Sequence, residues 1–452
     1  MIRRLYRWVD DRLGASEFTE HSLKKVFPDH WSFMLGEVAL YCFVILVVTG
    51  IFLGLFFDPS STKVTYHGPY APLHGVAVSR AYESVVNLSL GVRAGMVMRQ
   101  IHHWAALVFV AAIVLHLCRI YFTGAFRRPR EINWIIGVTL LLLAIFNGFT
   151  GYSMPDDLLS GTGLRIAYAV FLSIPVVGTW IAFLVFGGEF PANQIIGRLF
   201  FAHVFLVPAG IGALIAAHLA IIWRQKHTQF PGRLEREDNV VGTHLFPTYA
   251  AKSVGLFLGV FAVLAALGGL VQINPVWLYG PFRPEQVTSP AQPDWFLGWI
   301  EGALRVFPSL ELRVFGFLIP NQFFPAVLVP GVTFMLLYAW PFLEARVTHD
   351  NLPHHLLDRP RDRPVRTALG AATLTFYIVM FFAASNDLIA KWFAVPVDTV
   401  TMAFFVTLFA APIVVAAVTY VLMRALRNSG AEHFMEMPLS AVLSDTTSTR
   451  ER

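Results

Sequence analysis

The stretch RQIHHWAALVFVAAIVLHLCR, residues 99 to 119, decides the fold of this chain. It carries His102, His103 and His116 in a run that is otherwise almost entirely apolar and about 20 residues long, enough to cross a bilayer. Ionisable side chains are costly in a hydrocarbon core, so those that occur there usually serve a function. The stretch therefore predicts a membrane helix that keeps its imidazoles for their chemistry.

The composition of the whole chain predicts an integral membrane protein. Of its 452 residues, 56% are hydrophobic and 14% are charged, and the mean hydropathy is +0.59, which is too apolar for ordinary soluble domains. The net charge of +5 comes without a concentrated basic tract, so no nucleic-acid partner is expected. Cys42 and Cys118 both fall in apolar runs, which excludes a disulfide framework and a covalent CxxCH haem site.

Eight apolar runs of spanning length predict an all-α fold with eight transmembrane helices, which we name spans A to H. In chain order they cover about 33–57, 103–123, 132–153, 195–223, 253–272, 322–343, 368–385 and 400–423. A ninth run at 164–186 is interrupted by Pro175. Basic loops follow spans B and D, and the positive-inside rule places both in the cytoplasm. Spans C and D already return the chain to that side, so 164–186 is expected to form a pair of short interfacial helices.

The same rule places the basic loop 344–366 and both termini in the cytoplasm. The loops at 58–97, 154–194, 273–321 and 386–399 are then outside. Residues 1–30 are polar and basic, so no cleavable signal peptide is predicted.

Two histidines of span B can share one face. His102 and His116 are fourteen residues apart, which leaves them about 40° from alignment and roughly 21 Å apart along the axis. His103 and His116, thirteen apart, are about 140° out of alignment. Span D repeats the pattern with His203 and His218, fifteen apart, and Pro208 between them can bend the helix.

Spans B and D run in the same direction, so their histidines form two layers. His102 faces His203 in an outer layer, and His116 faces His218 in an inner layer. A pair of imidazoles facing across a helical bundle suits a haem iron, with one ligand on each side of the macrocycle. Zinc would require further ligands that the sequence does not offer nearby. The alternative is four separate helix histidines that bond to carbonyl groups, and the matched spacings on two spans count against it.

The positions of four glycines and three arginines are further evidence for two histidine layers. Gly36 and Gly50 in span A, like Gly137 and Gly151 in span C, are fourteen apart, and they would let a flat macrocycle approach the helices. Small-residue helix packing is the alternative. Three arginines near the histidines could pair with haem propionates or reach the membrane interface instead; they are Arg99, Arg119 and Arg198.

With these residues the chain closely resembles the cytochrome b subunit of the bc1 complex, the quinol:cytochrome c oxidoreductase. The resemblance runs from HWSFMLGE at 30–37 to FLEARVTHDN at 342–351 and RPRDRPVRTA at 359–368. It includes the four histidines, the two glycine pairs and the order of the spans. Four further motifs look like the actinobacterial branch: GYSMPDDLLSGTGLR (151–165), QKHTQFPG (225–232), QINPVWLYGP (272–281) and QPDWFLGWIEGALR (292–305).

The resemblance implies a quinol-oxidation site on the outer side, between the C–D hairpin and the loop before span F. The family signature there is Pro-Glu-Trp-Tyr, and this chain has Pro293, Asp294, Trp295 and Phe296. Quinol oxidation releases two protons, and a partly buried carboxylate can accept them. Asp294 is the positional match, while Trp295 and Phe296 are expected to shape the pocket.

Other residues near this site are candidates for further roles. Glu301, almost two helical turns beyond Asp294, is a candidate second relay or quinone contact. Tyr152 is a candidate hydrogen-bonding or packing residue. Asp156 and Asp157 are expected to cap the following short helix rather than transfer protons.

The resemblance implies a second quinone site on the cytoplasmic side, near His116 and His218. The mitochondrial pattern has a histidine five residues after the last haem ligand and an aspartate at the start of span E. Trp223 and Ser253 stand at these positions here. His227 and Lys252 are candidate replacements as proton donors, and solvated loop residues are the alternative.

The family mechanism implied is bifurcated electron transfer from menaquinol. One electron goes to a Rieske [2Fe-2S] protein, and the other passes through two non-covalent b haems, a low-potential outer one and a high-potential inner one, to the inner quinone. Protons are released outside and taken up inside. The implied partners are the Rieske subunit, a dihaem cytochrome c, an aa3-type oxidase and a second copy of the complex, in a bacterial plasma membrane. A shorter haem b anchor of a formate dehydrogenase or hydrogenase would lack the Pro-Asp-Trp-Phe loop, and a transporter would be colourless.

These expectations divide the chain into five parts. Residues 1–30 form a cytoplasmic segment, 31–225 a haem-binding four-helix bundle of spans A to D, and 226–252 a cytoplasmic loop. Residues 253–428 hold spans E to H with the quinol-site loop 273–321, and 429–452 form a polar tail predicted to lack order.

Overall fold

A computed structural model describes residues 2–286 and 292–435 of the chain. The remaining residues lie outside the described part: residue 1, residues 287–291 within the predicted quinol-site loop, and residues 436–452 within the predicted tail. The fold is mostly helical. Its helices, in chain order, are α1 Ile2–Leu13, α2 Ala15–Leu23, α3 Leu35–Gly54, α4 Arg80–Gly91, α5 Gly95–Phe122, α6 Glu131–Tyr152, α7 Leu158–Leu172, α8 Gly178–Phe186, α9 Ile195–Phe201, α10 Val207–Gln225, α11 Ala250–Leu270, α12 Val276–Tyr279, α13 Trp295–Val306, α14 Val329–Thr348, α15 Pro364–Ala383, α16 Asn386–Phe393 and α17 Val397–Met435.

Short strands close three of the loops as antiparallel pairs. The strands are β1 Val26–Phe27, β2 Lys63–Thr65, β3 Ala77–Ser79, β4 Thr243–His244, β5 Leu312–Val314 and β6 Phe317–Ile319. β2 pairs with β3 and β5 with β6 as local hairpins. β1 pairs with β4, with Val26 opposite His244, and so ties the N-terminal segment to the loop before α11.

Eight helical segments of the described chain are long and apolar enough to cross a membrane, as the sequence predicts. They are span A Trp31–Gly54, span B Gly95–Phe122, span C Glu131–Tyr152, span D Ile195–Gln225, span E Leu245–Leu270, span F Phe324–Thr348, span G Pro364–Ala383 and span H Val397–Ser429. A π-helical turn at Ala202–Leu206, just before Pro208, joins the two halves of span D.

Spans A to D share one apolar core. Cys42 of span A, Phe109 of span B, Leu141 of span C and Ile211 of span D all lie buried in it. Span E packs against spans A and B, and span G packs against span H and α13. The predicted four-helix bundle followed by four further helices is thus confirmed.

The ninth apolar run forms two short helices, as predicted. α7 ends at Leu172, α8 begins at Gly178, and Pro175 lies in the break between them. The proline cannot donate a backbone hydrogen bond and disfavours helix at the residue before it, which favours the break at this position. Neither half reaches spanning length.

The last helix extends into the predicted polar tail. The last helix, α17, continues to Met435, beyond residue 429, where the polar tail is predicted to start. A helix can leave the bilayer without ending, so the change from apolar to polar residues marks the membrane surface rather than the end of the helix.

Candidate functional site

The four predicted histidines face one another in two pairs. The ring centres of His102 and His203 are 6.2 Å apart, and those of His116 and His218 are 6.4 Å apart. A metal held between two opposed imidazole nitrogens at about 2 Å each requires ring centres roughly 6 Å apart. Both separations fit an axial pair around one iron atom.

Hydrogen bonds in the outer layer orient the histidine rings. The Thr49 hydroxyl donates to the Ile45 carbonyl at 2.6 Å and lies 2.9 Å from Nδ1 of His102. Since its proton is already used, Thr49 Oγ1 accepts from Nδ1–H. Nδ1 of His203 likewise donates to the Asn147 carbonyl at 2.9 Å. In both rings Nε2 therefore keeps its lone pair, as a metal ligand requires.

Each of the four predicted glycines lies against one of the four histidine rings. A Cβ atom on Gly36 would stand 3.3 Å from Cε1 of His116, and one on Gly50 would stand 3.2 Å from Cε1 of His102. At Gly151 it would collide with His203, whereas at Gly137 it would meet His218 at an ordinary 3.8 Å. The glycines thus make room for the imidazoles, and their clearance for a macrocycle stays a prediction.

The three predicted arginines differ in their surroundings. Arg119 stacks over Phe33, with its Nε and Nη2 buried and without a hydrogen-bond partner among the described residues. Arg99 donates to the Asn274 carbonyl at 3.0 Å, and its Nε is also unpartnered. Arg198 is exposed and donates to Gln194 at 3.0 Å and to the end of α8. Arg119 and Arg99 retain free donors for a propionate, whereas the structure engages Arg198 elsewhere.

These residues fit haem better than a protein-coordinated ion. Among the described residues, no group of three or more His, Cys, Asp or Glu side chains is placed to hold a metal ion. Two facing imidazoles per layer, glycines beside the rings and unpartnered buried guanidinium donors match the needs of a macrocycle with two axial ligands.

On the outer side, Asp294 is paired with a histidine that the sequence analysis leaves without a role. The two carboxylate oxygens of Asp294 lie 2.9 and 3.0 Å from Nε2 of His103. The side chains are 11% and 15% exposed, respectively. Asp294 occupies the N-cap position of α13 but makes no side-chain capping bond, since its carboxylate is used by His103.

The rest of the Pro-Asp-Trp-Phe motif packs between spans B and C. Trp295 donates through Nε1 to the Leu107 carbonyl at 3.3 Å. The ring of Phe296 is 1% exposed and occupies the space that a side chain at Gly148 would need. Both aromatic residues therefore shape the wall beside Asp294, and Pro293 precedes them on the same loop.

The remaining outer residues form an electrostatic cluster. Tyr152 lies within electrostatic reach of Asp157, Asp294 and Glu301. Arg305 donates to Glu301 at 2.5 Å. Burial raises the pKa of Glu301, and the positive charge of Arg305 opposes the shift. Glu301 is thus tied to an arginine, whereas Asp294 is tied to an imidazole.

Asp157 caps α7, as expected from the sequence. Its carboxylate accepts from the Ser160 amide at 2.9 Å, and the Ser160 hydroxyl accepts from the Asp157 amide at 3.0 Å, which completes a capping box. Burial raises the pKa of Asp157 to about 6 despite these bonds. Asp156, with a φ of 54°, does not cap the helix and instead fixes the loop, because its carbonyl accepts from Phe282 at 2.9 Å.

The loops of the outer site are joined by backbone bonds. Leu158 donates to the Gly280 carbonyl at 2.9 Å, so the start of α7 is bonded to the end of α12. Tyr279 lies on α12 and is electrostatically coupled to Asp157 and Asp294. The C–D hairpin and the loop before span F therefore meet as the family resemblance implies.

On the inner side, an aromatic cluster surrounds Phe27 of the N-terminal segment. Its ring centre lies 6.3 Å from that of Trp223, 4.8 Å from that of His227 and 4.6 Å from that of Tyr249. Burial lowers the pKa of His227 to about 4, assisted by the positive charge of Arg119. The imidazole is therefore neutral at pH 7, not a free cationic proton donor.

The two predicted residues of span E have different partners. Lys252 pairs with Asp29 at 2.6 Å, which ties the N-terminal segment to the span. The Ser253 hydroxyl donates to Glu37 at 2.8 Å. Glu37 lies inside span A and accepts hydrogen bonds from several hydroxyl groups.

Sequence reasoning missed His103, Tyr279 and Glu37. The position of His103 on the helix turns it away from the face of His116, which excludes it as an axial ligand. The same position directs it toward the loop before span F. Glu37 has a signal of its own, an acidic residue in the first turn of an apolar span. Nothing in the local sequence pairs it with Ser253, since the contact joins segments more than 200 residues apart.

The fold and the paired histidines define the class of the molecule, a multi-pass membrane protein with two facing histidine pairs suited to haem. Residues 107–281 match the protein family described as Cytochrome b(N-terminal)/b6/petB. The chain is also similar to a solved structure titled Hyperthermophilic respiratory Complex III, with a TM-score of 0.67 and 20% identity over 92% of this chain and 99% of that one. At that identity the likeness concerns the fold alone.

Curated relatives narrow the class to one family. The chain is 51% identical to the cytochrome bc1 complex cytochrome b subunit of Mycobacterium leprae, over 91% of this chain and 75% of the relative. It is 49% identical to that of Corynebacterium diphtheriae, over 94% and 78%, and 46% identical to that of Streptomyces coelicolor, over 91% and 75%. The chain belongs to the cytochrome b subunits of the bc1 complex, as the resemblance predicts, with actinobacterial relatives. Membership implies haem b and partner subunits.

Proposed function

We propose that the chain oxidises menaquinol at the outer site and reduces quinone at the inner site, as the cytochrome b subunit of a proton-translocating quinol:cytochrome c oxidoreductase. The observation that carries the proposal is the pair of histidine layers, with ring centres 6.2 and 6.4 Å apart. His102 with His203 and His116 with His218 would each hold one haem b. When bound, the two haems supply a route for single electrons between the two sides.

At the outer site, the chain's own residues would position quinol and accept its protons. Asp294 is the proposed proton acceptor because it lies at the end of a loop, with its carboxylate beside the outer histidine layer. His103 holds that carboxylate by its Nε2 at 2.9 Å. Glu301 and Tyr152 are proposed to line the same site, with the Trp295 and Phe296 rings excluding water.

At the inner site, the residues around Phe27 would bind quinone near His116 and His218. Trp223, His227 and Ser253 are proposed to line it, and Lys252 would hold the N-terminal segment over it through Asp29. Protons would be released on the outer side and taken up on the inner side, which makes the transfer electrogenic.

The proposed partners follow from the family. They are a Rieske [2Fe-2S] protein to accept one electron, a dihaem cytochrome c, an aa3-type oxidase and a second copy of the complex. The proposed location is a bacterial plasma membrane with both termini in the cytoplasm, in line with the basic loops after spans B and D.

The haem content of the purified chain tests the proposal. We expect two haems b by the pyridine haemochrome assay in the unsubstituted protein, and one in His116→Leu, because a layer with a single imidazole loses an axial ligand. His103→Leu makes the same change on the same helix and should keep both haems while slowing quinol oxidation. Fewer than two haems in intact protein, or no loss in His116→Leu, would refute the ligand assignment.

A further inference from the structure

Span A carries a carboxylate that is held by neutral groups alone. Glu37 accepts hydrogen bonds from the Tyr41 hydroxyl at 2.9 Å and the Ser253 hydroxyl at 2.8 Å, and also from the Tyr249 hydroxyl. No described lysine, arginine or histidine forms an ion pair with it. A carboxylate inside a membrane span without a cation is costly, and such residues are kept for proton or ion transfer.

The position of Glu37 places it beside the inner histidine layer. Its neighbour Gly36 is the residue whose missing side chain makes room for His116, with Cε1 of that ring 3.3 Å from a Cβ at the glycine. Tyr249 stacks on Phe27, which in turn contacts His227 and Trp223. Glu37 therefore connects the inner layer with the aromatic cluster around Phe27.

The cations near Glu37 are used by other groups. Lys252, next to Ser253, pairs with Asp29 at 2.6 Å. Lys25 donates to the Trp223 carbonyl and lies over the indole ring, 4.0 Å from its centre. Arg119 stacks over Phe33. His227, the other imidazole of the cluster, has a pKa of about 4 because of burial. Glu37 is thus the acidic group of this cluster that can carry a proton.

We propose that Glu37 is the proton-exchanging carboxylate of the inner quinone site. In its protonated form it gives a proton to a carbonyl oxygen of the quinone as an electron arrives, and it then takes another proton from the cytoplasm. Two electrons and two protons convert one quinone to one quinol, so Glu37 acts once for each proton it delivers. The inference rests on the proposed function and adds to it the residue that exchanges protons.

A purely structural reading is the competing explanation. Glu37 joins span A to span E through Ser253 and Tyr249, so its loss could loosen the bundle. Ser253→Ala and Tyr41→Phe remove hydrogen bonds from the same cluster but leave the acid in place. A structural effect would appear in these variants too, and it would be equal at every pH.

The test is quinol-driven reduction of haem b in the purified complex. The Rieske protein and cytochrome c are first reduced with ascorbate, so that they cannot accept an electron from quinol at the outer site. A dimethylnaphthoquinol is then added, and haem b absorbance is followed from mildly acid to alkaline pH. Glu131→Gln, the same chemical change at the cytoplasmic end of span C, is the matched control.

We expect Glu37→Gln to slow haem b reduction by about tenfold or more, in keeping with the loss of a general acid or base. Its pH profile should flatten, Glu37→Asp should recover part of the rate and of the profile, and Glu131→Gln should behave as the unsubstituted complex. Haem content and equilibrium binding of the oxidised dimethylnaphthoquinone should be unchanged in Glu37→Gln. The other titratable groups of this region are unaltered in Glu37→Gln, Glu37→Asp and Glu131→Gln: Lys25, Asp29, Tyr41, Arg119, His227, Tyr249 and Lys252.

Other outcomes overturn the inference. A normal rate and pH profile in Glu37→Gln would do so, as would equal slowing at all pH values in Glu37→Gln and Ser253→Ala. If Glu37→Gln loses haem, Glu37→Asp provides the test instead. A pH profile of haem b reduction in Glu37→Asp that is not shifted from that of the unsubstituted complex would exclude proton exchange by this carboxylate. If the unsubstituted complex shows no quinol-driven reduction of haem b, the proposed function itself fails, and the role of Glu37 with it.

Discussion

Adjacent residues on a helix point about 100° apart, and in this chain two adjacent histidines serve two sites. His102 faces His203 across the bundle, while His103 holds the carboxylate of Asp294. Span B therefore links the outer histidine layer to the proposed quinol site through consecutive residues. A change of helical phase by one residue would disrupt both contacts at once.

The glycines beside the histidines are not equivalent, which gives a matched pair of substitutions. In Gly151→Ala, the new methyl group would collide with the His203 ring and turn it away from His102. In Gly137→Ala, the methyl group would meet His218 at an ordinary 3.8 Å. We expect Gly151→Ala to lose about one haem per chain and Gly137→Ala to keep both, as measured by pyridine haemochrome assay. Equal haem loss in the two variants would contradict this steric reading.

Asp157 should make stability depend on pH. Burial raises its folded-state pKa to about 6, from 3.8 in a model peptide. A raised carboxyl pKa favours the folded state at low pH, so this contribution is complete below about 4 and is lost as pH rises through about 6. The full effect is about 3 kcal/mol. Asp157→Asn keeps the cap, since asparagine caps equally well.

Comparing Asp157→Asn with the unsubstituted protein isolates the contribution of Asp157 to the pH dependence of stability. Thermal midpoints of the detergent-purified protein are measured between mildly acid and neutral pH. We expect the thermal midpoint of Asp157→Asn to rise relative to that of the unsubstituted protein as pH rises through about 6. A constant difference between the two midpoints across this range would show that Asp157 titrates as it does in the unfolded chain.

At the scale of single elements, the eight spans could be predicted because apolar length alone defines them. Span B begins at Gly95 rather than 103, since Arg99 and Gln100 continue the helix beyond the apolar run. Gln100 is buried and bonds to the backbone of Ile273 at 2.8 and 2.9 Å, a contact that only the folded loop supplies. The strand pairs and α4 were missed because short elements in loops depend on such distant partners.

The candidate site could be predicted only where helical periodicity governs it. The four ligand positions were predicted from the residue spacing within spans B and D, and in the structure their rings face one another in two pairs. The partners of Asp294 and Ser253 could not be predicted in the same way. His103 lies 191 residues from Asp294, and Glu37 lies 216 residues from Ser253, so loop folding decides both contacts.

A buried ion cluster holds the start of span G. Arg366, with its side chain 3% exposed, donates to Asp358 at 2.8 Å and to Glu344 of span F. Arg366→Met would remove the described ion-pair partner of Glu344 and leave Asp358 with Arg127 and Arg363, and an uncompensated buried carboxylate typically costs about 3–5 kcal/mol. Arg363→Met is the control, since its side chain is 37% exposed and its ion pairs are worth about 1 kcal/mol or less. Unfolding of the purified protein by titration with sodium dodecyl sulfate measures both, and equal losses would mean that the cluster is not buried in the membrane-bound protein.

At the scale of the whole molecule, the two histidine layers have carboxylates beside them in different settings. Asp294 reaches the outer layer from a loop and is held by an imidazole, whereas Glu37 adjoins the inner layer from within a span and is held by hydroxyl groups. The proposed proton-releasing site and the proposed proton-consuming site therefore differ in the groups that hold their carboxylates.

The topology of the whole chain provides the last prediction. If the basic loops lie in the cytoplasm, as proposed, the eight crossings put the β5–β6 hairpin and the β2–β3 hairpin outside and the loop 226–252 inside. Phe315 at the tip of the first hairpin is 97% exposed, Lys63 lies exposed in the second, and Leu234 of the loop is 68% exposed. In intact cells, a membrane-impermeant maleimide should label Phe315→Cys or Lys63→Cys but not Leu234→Cys, which should react only after the membrane is opened. The native Cys42 is buried and Cys118 lies within span B, so the unsubstituted protein serves as the blank. Labelling of Leu234→Cys in intact cells would invert the orientation and would put the proposed quinol-oxidation site on the cytoplasmic side, where its protons would be released in the wrong compartment for energy conservation.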